Sequence, residues 1–384
     1  MTTVLLISER WNDTDDARGG YARTLAELFA ARGHTVLVLA RRDGPPIPAL
    51  GIQGRIEIHS LDIRAKAPTS SFAVEAARRT GEIAASRPLE AILCIDCPEA
   101  CAALDALRHQ GEAQPLRTPV TDIIIDPTRN DPAVALAALA SDAQVALKDG
   151  ALDLAHRAGR LGARRFVIAP PVGNTRSIGP EDTCDAFVLM DDPTPDSARF
   201  VARAFVRSGA ARAGWAVATP GAPGRWLVSL GRPAGAQADR TPERVAIFTG
   251  RPGHAWAETP AAVSTLAAGV TPILASSSPL CAWLTPDAAE ILVYTAGDDA
   301  SLAACMARLS AMPAEERAEL GARLANAIAL SSDPERVASQ HMSVWRHARP
   351  GTAPVTRPSD RLAAWRTLEH KAKHKPEPTQ ETVQ

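Results

Sequence analysis

The stretch from Thr259 to Asp287 restricts the fold more than any other part of the sequence, because it carries no charged residue before Asp287. About 20 consecutive apolar residues let a helix cross a bilayer, and the stretch is longer than that. Gly269, Pro272 and many serine and threonine residues interrupt it, however. We therefore predict a buried helix at Pro260–Ala268, a glycine stop, a short strand at Thr271–Ala275 and no transmembrane segment.

Short apolar runs alternate with amphipathic helical segments along the chain, which predicts α/β domains with parallel strands. A length of 384 residues is enough for two such domains. The first half has predicted strands at Val4–Ser8, Thr35–Ala40, Arg55–Ser60, Ala91–Ile95, Thr121–Ile125, Ala143–Leu147 and Arg165–Ala169, and helices at Tyr21–Arg32 and Ala73–Ala85. The second half has strands at Ala186–Met190, Gly214–Ala218 and Val245–Thr249, and helices at Ser197–Arg207, Ala314–Leu330 and Pro334–Arg346. Prolines and glycines in Pro170–Asp185 mark the predicted boundary between the domains.

Four segments resemble, in the same order, segments of the GT-B glycosyltransferases, and of their family 4 in particular. STLAAGVTPILAS at Ser264–Ser276 is similar to the family's E-A-M-A-C-G-x-P-V-V-A-S segment. Val4–Arg42 resembles its opening strand, glycine-pair loop, helix and second strand. Ser141–Asn174 is similar to the end of its first domain, and YTAGDDASLAACMARL at Tyr294–Leu309 to its pPGDpeaLAaAl element. The resemblance extends over residues 3–347.

This resemblance implies the GT-B architecture, in which two Rossmann-like, doubly wound domains face a central cleft. Residues 1–174 would form the acceptor-side domain, residues 175–347 the nucleotide-sugar donor domain, and residues 348–384 a linker and a disordered tail. A helix at Arg361–Lys373 either crosses back to the first domain or is a free amphipathic helix. The implied reaction transfers a sugar from a nucleoside diphosphate sugar to a carbohydrate, lipid or small-molecule acceptor, with retention at the anomeric carbon in family 4.

Polar residues follow the first predicted strand, at the edge where parallel sheets bind ligands. The loop after this strand leads through Gly19 and Gly20 into a helix. Paired glycines let the backbone approach a diphosphate, and Arg23 adds positive charge. In the resembled family the glycine pair lies near the sugar and diphosphate of the donor. A plain turn between strand and helix is the alternative.

Asp96 and Asp126 follow later strands of the same domain. The resemblance places Asp126 where the family has the aspartate of a histidine–aspartate pair close to the reacting sugar, with Ile125 at the histidine position. A carboxylate at a strand end is a candidate base or hydroxyl ligand. Capping of the next turn is the alternative role for Asp126.

The second domain departs from the family's pattern at its charged positions. Where the family has an arginine and a lysine that hold the donor diphosphate, this chain has Asp191, Asp192 and Asp196, which repel a diphosphate unless a divalent cation binds there. The family's Glu-x7-Glu pair is also missing, because its second position is Ser264 and Glu258 lies out of register. Two hypotheses stay open: a divergent transferase, and a GT-B protein that has lost catalysis and serves as a binding or scaffold protein.

A divergent transferase would use Arg251, His254 and Glu258, on the glycine-rich segment after the strand that ends at Thr249. Arg251 and the N-terminus of the following helix are candidates to stabilise the charge that develops on the leaving diphosphate. Thr249, Ser264 and Thr265 are candidates for ribose or base contacts. A sugar-nucleotide epimerase of the same shape would need the nucleotide site but no acceptor.

Composition limits the partners. A net charge of −1 gives no case for nucleic acid or for an anionic membrane, although peripheral membrane contact stays open. Cys94, Cys97 and Cys101 lack the second close pair of a zinc ribbon, so we predict packing roles for them and no metal site. No cofactor is predicted beyond the nucleotide sugar as substrate, and the need for a divalent cation stays open. The opening residues lead directly into a strand rather than a signal segment, so a cytoplasmic protein is expected.

Overall fold

The computed structural model describes residues 2–11, 17–42, 54–63, 67–110, 117–126, 140–147, 164–171, 186–189, 195–220, 226–230, 245–249 and 259–348. The chain divides into two compact units. One unit comprises Met1–Ile168 with Ala338–Gln384, and the other comprises Ala169–Val337. Among the described residues, no helix is both long and apolar enough to cross a lipid bilayer.

The first unit is built on a parallel sheet. Its described strands are β1 Thr3–Ser8, β2 Thr35–Arg41, β3 Ile56–Leu61, β4 Ala91–Ile95, β5 Val120–Ile124, β6 Ala143–Ala146 and β7 Arg164–Val167. They lie in the order β3-β2-β1-β4-β5-β6-β7, and every neighbouring pair is parallel. Strands β2 and β4 are nearly continuous apolar runs because helices cover the two faces of such a sheet, whereas β5 carries the buried polar residues Thr121 and Asp122. The predicted strands of the first half are thereby confirmed, with ends that differ by one or two residues.

Helices α1 Ala17–Ala31, α2 Thr69–Ser86 and α3 Pro98–Gln110 connect the strands of the first unit. Helix α1 begins four residues before the predicted helix. The three closely spaced cysteines have the packing role that we predicted: Cys94 on β4 and Cys97 and Cys101 around the start of α3 are buried in the same apolar cluster. That cluster forms the core between the sheet and helices α2 and α3.

The second unit has a mixed sheet. Its described strands are β8 Ala186–Leu189, β9 Ala216–Pro220, β10 Trp226–Leu230, β11 Val245–Phe248, β12 Thr271–Ala275 and β13 Val293–Tyr294. They lie in the order β10-β9-β8-β11-β12-β13, in which only the β9–β10 pair is antiparallel among the described strands. The helices are α4 Pro195–Ser208, α5 Thr259–Ala267, α6 Pro286–Leu292, α7 Asp299–Ala311, α8 Ala314–Ser332 and α9 Pro334–His347.

The charge-free stretch folds as the sequence predicts. Helix α5 ends at Ala267, Gly269 follows with a φ of 85°, and β12 occupies Thr271–Ala275. A left-handed glycine just past the last helical residue is a common way to end a helix. A 3₁₀ helix at Pro279–Trp283 comes next, capped by the Ser278 hydroxyl, which accepts a hydrogen bond from the Leu280 N–H. The helix and the strand of this stretch therefore contribute Val263, Leu266 and Leu274 to the core of an α/β unit, while Ser276 and Ser277 are exposed.

Helix α9 belongs to both units, because the division between them falls after Val337, within the helix. The later residues of α9 pack on α1: the Phe29 and Trp345 rings are 5.0 Å apart, and the Tyr21 hydroxyl lies 3.5 Å from Nε2 of His341. The predicted crossing helix, Arg361–Lys373, lies outside the described residues, as do the tail and residues 172–185 of the predicted boundary.

Candidate functional site

The strand order of the first sheet reverses between β1 and β4. Parallel α/β sheets bind ligands beside the carboxyl ends of their strands, at such a reversal. Three segments follow the carboxyl ends of β1, β4 and β5, and they carry Glu9, Asp96 and Asp126, respectively. This edge of the sheet is the candidate site of the first unit.

Asp96 connects three elements at this edge. Its Oδ1 accepts hydrogen bonds from the backbone N–H of Ile125 at 3.2 Å and of Asp126 at 3.0 Å. Its Oδ2 lies 3.5 Å from Nη1 of Arg18, in the first turn of α1, and the carboxylate side chain is only 1% exposed. The backbone of Asp96 has a φ of 47°, in the left-handed region. The end of β4 is thereby joined to the end of β5 and to the start of α1.

Glu9 forms a second connection, between β1, β2 and the start of α2. One carboxylate oxygen of Glu9 accepts hydrogen bonds from the guanidinium of Arg41 and, at 3.3 Å, from the hydroxyl of Thr69. Arg41 also donates to the carbonyl of Ala67 at 2.7 Å. The Glu9 and Arg41 side chains are both largely buried. Each charge neutralises the other, because a buried charge that loses its partner is strongly destabilising.

The glycine pair lies inside helix α1 rather than in the loop that the sequence predicted. Gly19 and Gly20 are the third and fourth residues of the helix, because α1 begins at Ala17. Glycine costs a helix less at its end, where the first N–H groups have no intrahelical partner in any case. Arg23, one turn later, donates to the carbonyl of Trp11. The second turn of α1 is therefore tied back to the segment after β1.

Asp126 is partly buried and follows β5, as the sequence predicted. The structure brings it close to Asp96 through the N–H of its own backbone. The residues after Asp126 lie outside the described part of the chain. Its role as a base or hydroxyl ligand stays a prediction.

The strand ends of the second unit carry the remaining described candidates. The carbonyl of Thr249, just after β11, accepts a hydrogen bond at 3.3 Å from the hydroxyl of Tyr294 on β13. Ser264 and Thr265 lie in the second turn of α5, so they are not at the helix terminus where N–H groups are free. The segment with the remaining candidates (Arg251, His254 and Glu258) lies outside the described residues.

Buried thiols lie at the end of β4 and the start of α3. Burial raises the pKa of the Cys97 and Cys101 thiols well above the usual range, so both stay protonated near neutral pH. In the part of the chain that the structure describes, no three histidine, cysteine or acidic side chains are grouped as metal ligands.

No protein-family model matches the chain, and no curated protein matches it. Solved structures do match. A glycosyltransferase from Rickettsia africae ESF-5 is 9% identical, with a TM-score of 0.58 over 90% of this chain and 98% of that one. Trehalose-6-phosphate synthase OtsA is 12% identical, with a TM-score of 0.60 over 91% of this chain and 100% of that one. The chain has the GT-B fold.

A UDP-forming α,α-trehalose-phosphate synthase from Burkholderia xenovorans is similar to the same extent, at 13% identity and a TM-score of 0.59 over 91% of this chain and 99% of that one. At identities this low, the structural similarity shows the GT-B fold alone. Membership of family 4 stays a prediction. Within this fold, the sequence placed Asp96 at a strand end but did not predict the contact of Glu9 with Arg41 or the contact of Asp96 with Arg18. No sequence signal identifies those pairs, because the partners lie 32 and 78 residues away in the chain.

Proposed function

We propose that this protein transfers a sugar from a nucleoside diphosphate sugar to a hydroxyl group of an acceptor. The observation that carries the proposal is the GT-B fold together with a charged, hydrogen-bonded edge at the reversal of its first sheet. The similar structures are a glycosyltransferase and two trehalose-phosphate synthases. The acceptor is a carbohydrate, a lipid or another small molecule, and retention at the anomeric carbon belongs to the same proposal.

The donor is assigned to the carboxyl edge of the second sheet. Thr249 lies at this edge, and the segment that follows it carries Arg251, His254 and Glu258. A departing diphosphate gains negative charge in the transition state, so Arg251 and His254 would stabilise it electrostatically. Ser264 and Thr265, on the helix after this segment, contribute hydroxyl groups for a ribose or a base.

We assign the remaining candidate groups, including the one that acts on the attacking hydroxyl, to the first unit. The first turn of α1 contains Gly19 and Gly20, which have no side chains, and Arg23 lies one turn further along the helix. Asp126 is the group that we assign to the attacking hydroxyl, as base or as hydrogen-bond acceptor. Its partly buried position beside Asp96 supports this assignment.

A catalytically inactive GT-B binding protein is the second candidate. It is favoured by Asp191 and Asp192, which stand where the resembled family has basic residues, and by Ser264 in place of a glutamate. Asp196 is exposed and lies 3.6 Å from Arg199 on its own helix, so its charge is partly compensated. Such a protein could bind a nucleotide without turning over its sugar.

A thermal-shift titration with UDP, GDP, ADP and CMP, each with and without Mg²⁺, tests the donor site. A ligand at 100 times its Kd adds about 2.7 kcal/mol of stability. We expect one nucleotide to stabilise the protein, and the shift to be lost in Arg251→Ala. Arg323→Ala is the control, because Arg323 is an exposed arginine paired with Glu319 on α8. The absence of a shift with any nucleotide at millimolar concentration would overturn the donor site.

Product analysis separates the two candidates. The nucleotide sugars of the stabilising base are incubated with the protein, and free nucleoside diphosphate is measured. Release of nucleoside diphosphate supports a transferase, because a transferase without an acceptor slowly transfers the sugar to water. Binding without release supports the inactive protein, and conversion of the sugar without release indicates an epimerase.

A further inference from the structure

Asp96 has a backbone conformation that few non-glycine residues adopt. Among the residues that the structure describes, it is the only non-glycine residue with a positive φ, at 47°. Left-handed backbone is unfavourable for residues with a Cβ atom, and it persists where surrounding contacts fix it. Such conformations concentrate at functional sites, so the contacts that fix Asp96 are informative.

Those contacts come from two elements other than β4. The two hydrogen bonds to Oδ1 hold the backbone of Ile125 and Asp126, where the chain leaves β5. The contact between Oδ2 and Arg18 holds the first turn of α1. A carboxylate that is 1% exposed needs these donors, because an ionised group without them is costly to bury. The left-handed backbone and the hydrogen bonds therefore determine one orientation of this side chain.

We propose that Asp96 is a positioning residue of the site: it holds the backbone of Asp126 and the glycine-containing first turn of α1 in one arrangement. Removal of its carboxylate releases the turn at Asp126 while the strands on either side remain paired. The catalytic consequence rests on the proposed function, in which Asp126 acts on the attacking oxygen. The structural part can be measured without any substrate.

Hydrogen exchange of the full-length protein tests the structural part. In Asp96→Gly the two amides of Ile125 and Asp126 lose their acceptor, while glycine adopts the positive φ without strain. We expect both amides to exchange roughly tenfold faster or more, since a hydrogen bond to a charged acceptor is worth at least one tenfold step. Asp96→Asn is the matched control, because asparagine accepts a hydrogen bond and tolerates positive φ. Unchanged exchange in Asp96→Gly would overturn the proposal.

Kinetics of nucleotide-sugar hydrolysis test the catalytic part, with UDP-glucose, GDP-mannose and ADP-glucose as probes. For the probe that the unmodified protein hydrolyses, we expect Asp96→Gly to lower kcat about tenfold per folded molecule, because the turn that carries Asp126 is released, and to raise KM only by the share that the first turn of α1 contributes to donor binding. Asp96→Asn should restore most of kcat. The folded fraction is taken from the amplitude of urea unfolding, so that a loss of folded protein is not counted as a loss of rate.

The possible outcomes are distinct. If no probe is bound or hydrolysed by the unmodified protein, the proposed function fails, and hydrogen exchange still decides the role of Asp96. If the two amides are released but kcat per folded molecule is unchanged, the role of Asp96 in catalysis is overturned. If KM rises instead of kcat falling, Asp96 acts on donor binding, which also contradicts the proposal.

Discussion

The Cα atom of Gly321 lies so close to the carbonyl group of Gly269 that a Cβ atom at residue 321 would be 2.2 Å from the carbonyl oxygen. The same Cβ atom would be 3.0 Å from Oγ1 of Thr271, which donates a hydrogen bond of 2.8 Å to the carbonyl of Arg317. Helix α8 therefore approaches the turn between α5 and β12 at a distance that only glycine permits.

Gly321→Ala should destabilise the second unit by about 2–3 kcal/mol, because overpacking against rigid backbone forces the helix to move. Urea unfolding measures the change. Gly81→Ala on α2 is the matched control: its Cβ atom would contact only the end of the Leu107 side chain, at 3.2 Å, which can rotate away. Equal stability of the two variants would show that α8 adapts without cost.

Acid should weaken the packing of α9 on α1 through His341. Burial lowers the pKa of His341 to about 3, from an ordinary value of 6.5. The unfolded chain therefore binds the proton first, so the stability from this group is complete above pH 6.5 and is lost as the pH falls toward 3. The expected loss is about 1.4 kcal/mol per pH unit within that window. Urea unfolding at several pH values between 4.5 and 8 measures it.

His341→Gln should remove most of this acid dependence, because glutamine does not titrate there and can still hydrogen-bond to the Tyr21 hydroxyl, which lies 3.5 Å from Nε2 of His341. Tyr21→Phe is the control, since it removes that contact and keeps the histidine, so the slope with pH should persist. A slope that survives His341→Gln would assign the acid sensitivity to other groups.

Removal of Arg108 should cost about 3 kcal/mol or more, because it leaves a buried charge without its partner. Nη2 of Arg108 donates to Oδ2 of Asp142 at 2.7 Å, and the two side chains are 7% and 0% exposed. Arg108→Met combined with Asp142→Asn should recover part of that loss, since asparagine still accepts from the Val120 N–H and carries no charge. Additive losses in urea unfolding would exclude this coupling.

Gly20→Ala should leave stability unchanged or raise it by up to about 1 kcal/mol, because alanine is the better helix former. The nearest atom to its Cβ would be Nη2 of Arg23, at 3.9 Å, so the side chain fits. If the proposed ligand approaches the backbone of this turn, the nucleotide-induced thermal shift should fall in the same variant. Gly81→Ala should keep the full shift. A full shift in Gly20→Ala would remove the turn from the binding site.

The α/β character was predictable because apolar periodicity reports burial directly. The central strands are buried on both faces, so their sequences are continuous apolar runs, and the end of helix α5 is marked by Gly269. The start of α1 was misplaced because Gly19 and Gly20 disfavour helix interiors, whereas the structure has them in a first turn, where that preference matters less.

The contacts of the candidate site were less predictable than the fold. Whether Asp96 pairs with Arg18 depends on β4 lying beside β1, and that adjacency is a property of the sheet order and not of any local pattern. The packing of α9 on α1 was unpredictable for the same reason. The sequence of an amphipathic helix shows that the helix has an apolar face, but it does not specify which surface covers that face. Arg251, His254 and Glu258 lie outside the described residues and stay predictions.

The division of helix α9 between the units has a consequence for how the protein is made. Tyr21 and His341, which meet in the core of the first unit, are 320 residues apart in the sequence. A chain emerging from the ribosome presents Tyr21 and Phe29 early, and Trp345 arrives only after all the strands of the second sheet have been synthesised. The first unit thus starts earlier and is completed later than the second, so the apolar face of α1 that α9 covers stays uncovered until α9 has been synthesised.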